Sequence, residues 1–549
     1  MYQALLANRY LTSRIIPLIA VAAVALCVAL VIIVVSVMTG FLDMLKSSGK
    51  TLMGDVIVGY PVRGIPHYER LIDEINGLST AAVASPLIDS YGLLRMPYPE
   101  GDDKEVVTVQ VWGIQPESFA GVTGMADSIY WKELSEQEAA TARDDDFRRR
   151  IKPGMLGDSL TLTDPVTGRR GALMGIHVSI VNDRQQDGSY EPKFDHWWLP
   201  GGHEVTLTLV PISSKGSISE PRDRTFPIIN EFHTGVYQID KSRIMIPLED
   251  AQHLLRLEEA IKYDTSGELD ENGRPPVIGT SPARATKILV RAADGVTPDE
   301  LLADVRMAYE RFWMKVAAED GVMEVPPSRE LVTMLTWEQQ LRDLIGPVEK
   351  ERELMRILFS IIYLVCAGLV LSIFWAIVYE KTRDIGILRS VGASRLGILW
   401  IFLRYGMVIG ILGSILGVGL AYLVVSNINE IHDAIGQDAP TWSWVAMYSF
   451  GLAAAIGMLV SITRSRVLYA IILGLVAISL GGVAFALQQH VGTVIWDPAV
   501  YYFSTLPSQL DFFTVIITMI GAIVFSILGA AVPAAKAADT DPVKALRYE

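Results

Sequence analysis

Residues 380–394 read EKTRDIGILRSVGAS, a charged stretch set between two long apolar runs. Ile385, Leu388 and Val391 recur at helical spacing, while Arg383, Asp384 and Arg389 lie around the other side. A helix of this kind between two membrane crossings admits two readings. It is either an interfacial segment lying on the bilayer or a docking helix for a partner on that side. The flanking sequence decides which compartment it faces.

The chain has 549 residues, 50% of them hydrophobic and 20% charged, with a mean hydropathy of +0.33. It is too apolar for an ordinary soluble protein and too charged to lie wholly in lipid. A net charge of −14 speaks against nucleic acid as a partner, because binding phosphates needs a basic surface. The two cysteines, Cys27 and Cys366, each sit inside an apolar run, so they do not staple a secreted domain.

Six segments are apolar over the roughly 20 residues needed to cross a bilayer core. They are 15–38, 357–379, 398–425 (uncharged from 405 on), 445–462, 467–487 and 512–532. The first is too long for a signal peptide and lacks a small-residue exit. Leu26 before Cys27 also spoils a lipoprotein cleavage site. Lys and Arg mark one side: Arg9 and Arg14, then Lys381, Arg383, Arg389 and Arg395, then Arg464 and Arg466, then Lys536, Lys544 and Arg547. Residues 426–443 and 488–511 carry none. By the positive-inside rule both termini (1–14 and 533–549) are expected in the cytoplasm and residues 39–356 outside. The opening stretch is then a cytoplasmic element, 380–397, joining the second and third spans.

The outer region reads as α+β. Strand-like runs start at Asp55, Glu105, His203, Arg243 and Thr286. A helix starts at Thr297, with Pro298 at its first position and Glu300 placed for a capping box. Mixed patterns at about 55–115 and 284–335 bracket a strand-rich middle at about 150–255. This suggests two lobes, the second inserted in the first. The expected fold class is an α-helical membrane protein with a large extracytoplasmic α+β domain. Catalytic motifs do not emerge. His203-Glu204 is not followed by a second histidine one turn on, so Asp195, His196, His203 and Glu204 read as a polar loop and no metal site is expected. Residues 273–280, GRPPVIGT, lack the lysine of a phosphate-binding loop. ARDDDFRRR, 142–150, reads as a solvated charge run.

Five stretches together resemble the permeases of MacB/FtsX-type ABC transporters, most closely the LolC/LolE lipoprotein-releasing subunits. They are NRYLTSR followed by the span ending SVMTGF (36–41), 226–255, 336–362 with Trp337, Glu349 and Lys350, the opening stretch, and 496–511 with the tail 532–549. The resemblance implies a membrane-proximal α/β lobe with an inserted β-rich lobe. It also implies that Glu380, Lys381, Arg383, Asp384, Ile385, Gly386, Ile387, Leu388 and Arg389 form a coupling helix seated in an ATPase subunit, with Ile385 and Leu388 as its buried anchor. That LolD/MacB-like ATPase would be a separate polypeptide carrying ATP and Mg²⁺, while this chain binds no cofactor and is no enzyme. A second permease copy or homologous subunit, membrane lipids, lipoprotein cargo and a periplasmic carrier are the other implied partners, in the inner membrane. Residues 211–224 read either as a carrier hook, with Pro211, Lys215, Ile218, Pro221 and Arg222, or as an ordinary long hairpin. Rival readings are a MacB-type efflux permease, an FtsX-like regulator of an outer partner and a receptor without an ATPase. One departure stands out: residues 439–489 add a hydrophobic hairpin to the family's usual four spans.

Overall fold

The computed structural model describes residues 15–97, 104–142, 146–151, 159–164, 167–178, 182–185, 189–192, 204–212, 216–263, 275–436, 441–463, 467–488 and 506–541. The chain divides into two compact units. One gathers Met1–Leu42, Glu349–Tyr501 and Thr505–Glu549, and the other Asp43–Val348 with Tyr502–Ser504. The first helix, α1 (Ile15–Lys50), contributes to both.

The unit of Asp43–Val348 is built on a mixed nine-stranded sheet. Its strands are β1 (Val56–Gly59), β2 (Ala81–Pro97), β3 (Lys104–Ile114), β4 (Ala172–Gly175), β5 (Glu204–Leu209), β6 (Arg222–Phe232), β7 (Arg243–Pro247), β8 (Lys287–Ala292) and β9 (Thr333–Thr336). Their order is β9-β1-β8-β2-β3-β7-β4-β6-β5, and β5 pairs back onto β2. Six strands therefore close into a barrel, and β8, β1 and β9 continue outward as an open sheet.

The 17-residue β2 makes both parts possible. Along one edge its residues from Leu87, opposite Ile114, to Pro97, opposite Lys104, pair with β3. Along the other, Ala81–Leu87 face β8 and Gly92–Arg95 face β5. Alternation along β5 follows the pleat: Val205, Leu207 and Leu209 are buried, and Thr206 and Thr208 only partly so. This differs from the lobe limits drawn from the sequence. The strand runs at 105 and 243 lie side by side as the parallel pair β3–β7, so hydrogen bonding passes through the expected boundary. Hydrophobic pattern marks strands but does not say which neighbour each will find.

Helices cover both faces of the open sheet. On one side α2 (Tyr68–Asn76) contributes Tyr68, Leu71 and Ile75 to the main core. On the other, α3 (Pro116–Val122) buries Phe119 with Trp112 and Leu289. The helix α4 (Leu248–Leu255) follows β7. The helix expected from Thr297 is α5 (Pro298–Ala317), and its reciprocal Thr297–Glu300 capping box is formed. Leu301, Val305, Tyr309 and Phe312 of α5 are buried in the core.

The other unit is helical: α6 (Arg342–Glu380, whose start belongs to the Asp43–Val348 unit), α7 (Thr382–Ser390), α8 (Arg395–Ser426), α9 (Thr441–Thr463), α10 (Val467–Gln488) and α11 (Phe512–Ala538). Among the described residues five helical segments are long and apolar enough to cross a membrane: Pro17–Ser47, Ile345–Glu380, Arg395–Ser426, Trp444–Thr463 and Phe512–Ala538. The sixth expected span is the 22-residue α10, whose described apolar part is Leu473–Phe485. In lipid, helices associate through close packing of small residues. Here α8 supplies them on two sides. A Cβ at Gly406 would stand 2.7 Å from the Ala530 Cβ of α11, and one at Gly417 would stand 2.7 Å from the Ala25 carbonyl of α1. The α-helical membrane part and the large α+β domain expected from the sequence are thus both present. Arg464 and Arg466, which marked one side of the α9–α10 hairpin, lie outside the described residues, as do 1–14.

Candidate coupling site

The element at 380–394 is a helix bounded by local signals. After α6 ends at Glu380, the Lys381 amide donates to the Ile377 carbonyl (3.0 Å), and α7 follows with little break. At its far end Gly392 takes φ 105°, a left-handed conformation that glycine tolerates. The Ala393 amide donates to the Leu388 carbonyl (3.0 Å) and the Gly392 amide to that of Arg389 (3.1 Å), a Schellman closure. Two residues later the Ser394 hydroxyl accepts from the Gly397 amide (3.1 Å) and caps α8. The turn from α7 into α8 is therefore encoded in SVGAS.

The faces of α7 differ from expectation at several residues. Ile385, expected to anchor a partner, is 3% exposed and packs among Phe374, Val378, Ile398, Phe402 and Ala537 of its own chain. An apolar side chain midway along a short helix is covered by whichever surface is nearest, and here α6, α8 and α11 supply it. Gly386 is also buried and Leu388 is half-buried. Together with Ile377, Ile398 and Tyr405, Ile385 and Leu388 line a small apolar cavity of about 40 Å³.

The charged residues divide in the same way. Lys381 pairs with Asp384 (2.9 Å) within the helix. The Arg389 guanidinium donates to the Ala538 carbonyl (3.0 Å) at the end of α11, satisfying one of its terminal carbonyls. Arg395 and Asp539 stand 3.7 Å apart nearby. Glu380 and Arg383 are exposed. So is an apolar pair: Ile387 at 46% and Val391 at 84%. Val391 is not among the residues that the resemblance assigns to the coupling contact, although the sequence places it at helical spacing with Ile385 and Leu388. The signal was Ile387 and Val391 standing four apart, one turn on the same face.

The described residues of 211–224, which are 211–212 and 216–224, extend the β5–β6 hairpin. Leu209 pairs with Arg222, the Ser219 amide donates to the Pro211 carbonyl (2.9 Å), and Ile212 bridges Ile218. Pro211 is buried, and Arg222 donates to the His253 carbonyl (2.6 Å) at the end of α4. Ile218 and Pro221 are exposed, and Lys215 lies outside the described residues. Of Asp195, His196, His203 and Glu204, read from the sequence as a polar loop, only Glu204 is among the described residues, and it pairs with Arg169.

Residues 356–486 match the FtsX-like permease C-terminal family, a region that contains α7, α8 and α9. The chain is 21% identical over 534 residues to the lipoprotein-releasing system transmembrane protein LolC of Neisseria meningitidis serogroup B, covering 97% of this chain and 94% of that protein. It is 26% identical over 223 residues to the macrolide export ATP-binding/permease protein MacB 2 of Aeromonas hydrophila subsp. hydrophila, covering 36% of this chain and 34% of that one. Among solved structures, the periplasmic region of MacB from Actinobacillus actinomycetemcomitans overlaps 55% of this chain and 97% of its own, at 9% identity. Its TM-score of 0.26 is too low to establish a common fold. The resemblance to MacB/FtsX-type permeases, and to LolC in particular, stands.

Proposed function

We propose, from the premise that the chain is a membrane permease of the LolC/MacB/FtsX kind, that it is one subunit of an ABC transporter that releases lipoproteins from the inner membrane. A separate ATPase carries ATP and Mg²⁺ in the cytoplasm, and α7 is its contact. Both termini lie on that side, and the α+β unit lies in the periplasm. A second permease chain completes the membrane part. The chain itself catalyses nothing; ATP-driven movement of the ATPase presses on α7, which passes it to the helices it is packed against. The observation that carries this reading is the near full-length similarity to a LolC, with α7 inside the region matched to FtsX-like permeases.

The contact is proposed to run through the outward-facing residues of α7, a reading supported by the exposure of Arg383, Ile387 and Val391, with Glu380 at the start. Ile385 and Arg389 hold α7 to its own chain and transmit rather than dock. The cargo is tested by depleting the chain and following lipoproteins in spheroplasts supplied with a soluble carrier. Retention in the inner membrane is the expected result. Normal release would point to an efflux or regulatory role instead.

A further inference from the structure

A cleft in the α+β unit has no part in the coupling site. It opens where β8 and β5 part from β2: β8 pairing stops at Leu87 and β5 pairing starts at Gly92, so no strand stands opposite residues 88–91 on that edge. The cleft holds about 380 Å³. Its walls come from four separate segments: Val62, Tyr91, Val210 with Ile212, and Leu255. Tyr91 is 70% exposed and Ile218 beside Ile212 is 76% exposed, so apolar surface continues outward from the mouth. Contiguous apolar surface around a cleft of this size is the usual mark of a ligand groove. Val62 is held at φ 67°, a left-handed conformation that a β-branched residue rarely adopts.

The floor limits what can bind. Asp89 accepts from Lys287 (2.6 Å) and Gln110 (2.7 Å), and the Asp89 amide donates to the Thr286 hydroxyl (2.6 Å). Both charges are thereby matched within the protein, so the floor does not call for an ionic head group. An extended peptide has no room to join the sheet, because β8 and β5 already flank the open stretch of β2. End-on insertion of one slender apolar chain remains. We infer that this fork between open sheet and barrel binds a fatty acyl chain, from a lipid or from an acylated protein. The inference deepens the lipoprotein reading but is separable from it, because acyl binding and lipoprotein release are measured independently.

The test uses the full chain in phosphatidylcholine nanodiscs with a diazirine-bearing palmitate, mapping the photolabel by mass spectrometry. Label on the cleft walls is expected, and Tyr91→Asp and Ile212→Asp should each cut it about tenfold, equivalent to ~1.4 kcal/mol of binding. Both side chains are largely exposed, so the variants should fold; unchanged melting confirms it, and either variant alone suffices. Competition separates the sources. A palmitoylated peptide outcompeting palmitate assigns the cleft to acylated protein, and the reverse assigns it to lipid. Label confined to the membrane helices, label unaffected by both variants, or equal competition by the unacylated peptide would overturn the proposal.

Discussion

Ile385 and Ile387 are two residues apart on α7, and their surroundings assign them different work. Ile385 is buried in a core that includes Ile398 and Phe402, so Ile385→Ala should lower the chain's own stability by about 2–5 kcal/mol. Thermal unfolding in detergent measures this, and an unchanged midpoint would show that the α7 packing is wrong. A second residue sets a pH dependence in the α+β unit. Glu231 is fully buried, and burial pushes its pKa up to about 8 despite hydrogen bonds donated by Trp131 and Asn182 (both 2.7 Å). The folded chain keeps a proton there that the unfolded chain releases above pH ~4.3. Stability is therefore full at low pH and falls as pH rises through 8. Burial likewise holds His177 at about 3 and His233 at about 4, so neither titrates in the folded chain near neutrality. Between pH 7 and 8.5 the loss should be on the order of 1 kcal/mol. Glu231→Gln should flatten that slope in melts of the purified chain, and an equal slope in both proteins would contradict the assignment.

At the scale of elements, the helix seam of α8 gives the sharpest expectation. At Gly417 a side chain meets the Ala25 carbonyl and Val28 of α1, whereas Gly419 has nothing within 4 Å. Gly417→Leu should destabilise the helical unit by about 1–3 kcal/mol or more, and Gly419→Leu should be nearly silent. Limited proteolysis and melting of the two variants check the contrast. Much of this level was legible in the sequence. The apolar runs, the Thr297 capping box and the turn at Gly392 depend on residues within a few positions of one another, and local physics decides them. The β2 fork and the burial of Ile385 were not legible. Each depends on a partner far away in the chain: β5 and β8 for the fork, and Ile398, Phe402 and Ala537 for Ile385. A hydrophobic period shows that a face will be buried, but not against what.

At the scale of the whole molecule, α7 is proposed to present an exposed surface to a separate ATPase. An amphipathic helix at a membrane surface can bury its apolar residues in its own chain, in lipid or in a partner. Ile385 takes the first course, which leaves Ile387 and Val391 for one of the others. Charged substitutions there should not disturb folding, since both side chains are already exposed, but they should weaken a contact anchored on apolar groups. The most direct measurement is purification of the full chain from membranes in mild detergent, with co-purifying polypeptides identified and quantified by mass spectrometry. An ABC ATPase is expected with the wild-type chain. A loss of about tenfold or more is expected with Ile387→Asp and Val391→Asp combined, at unchanged melting temperature. An ATPase absent from the wild-type preparation, or recovered equally with the double variant, would contradict the proposal.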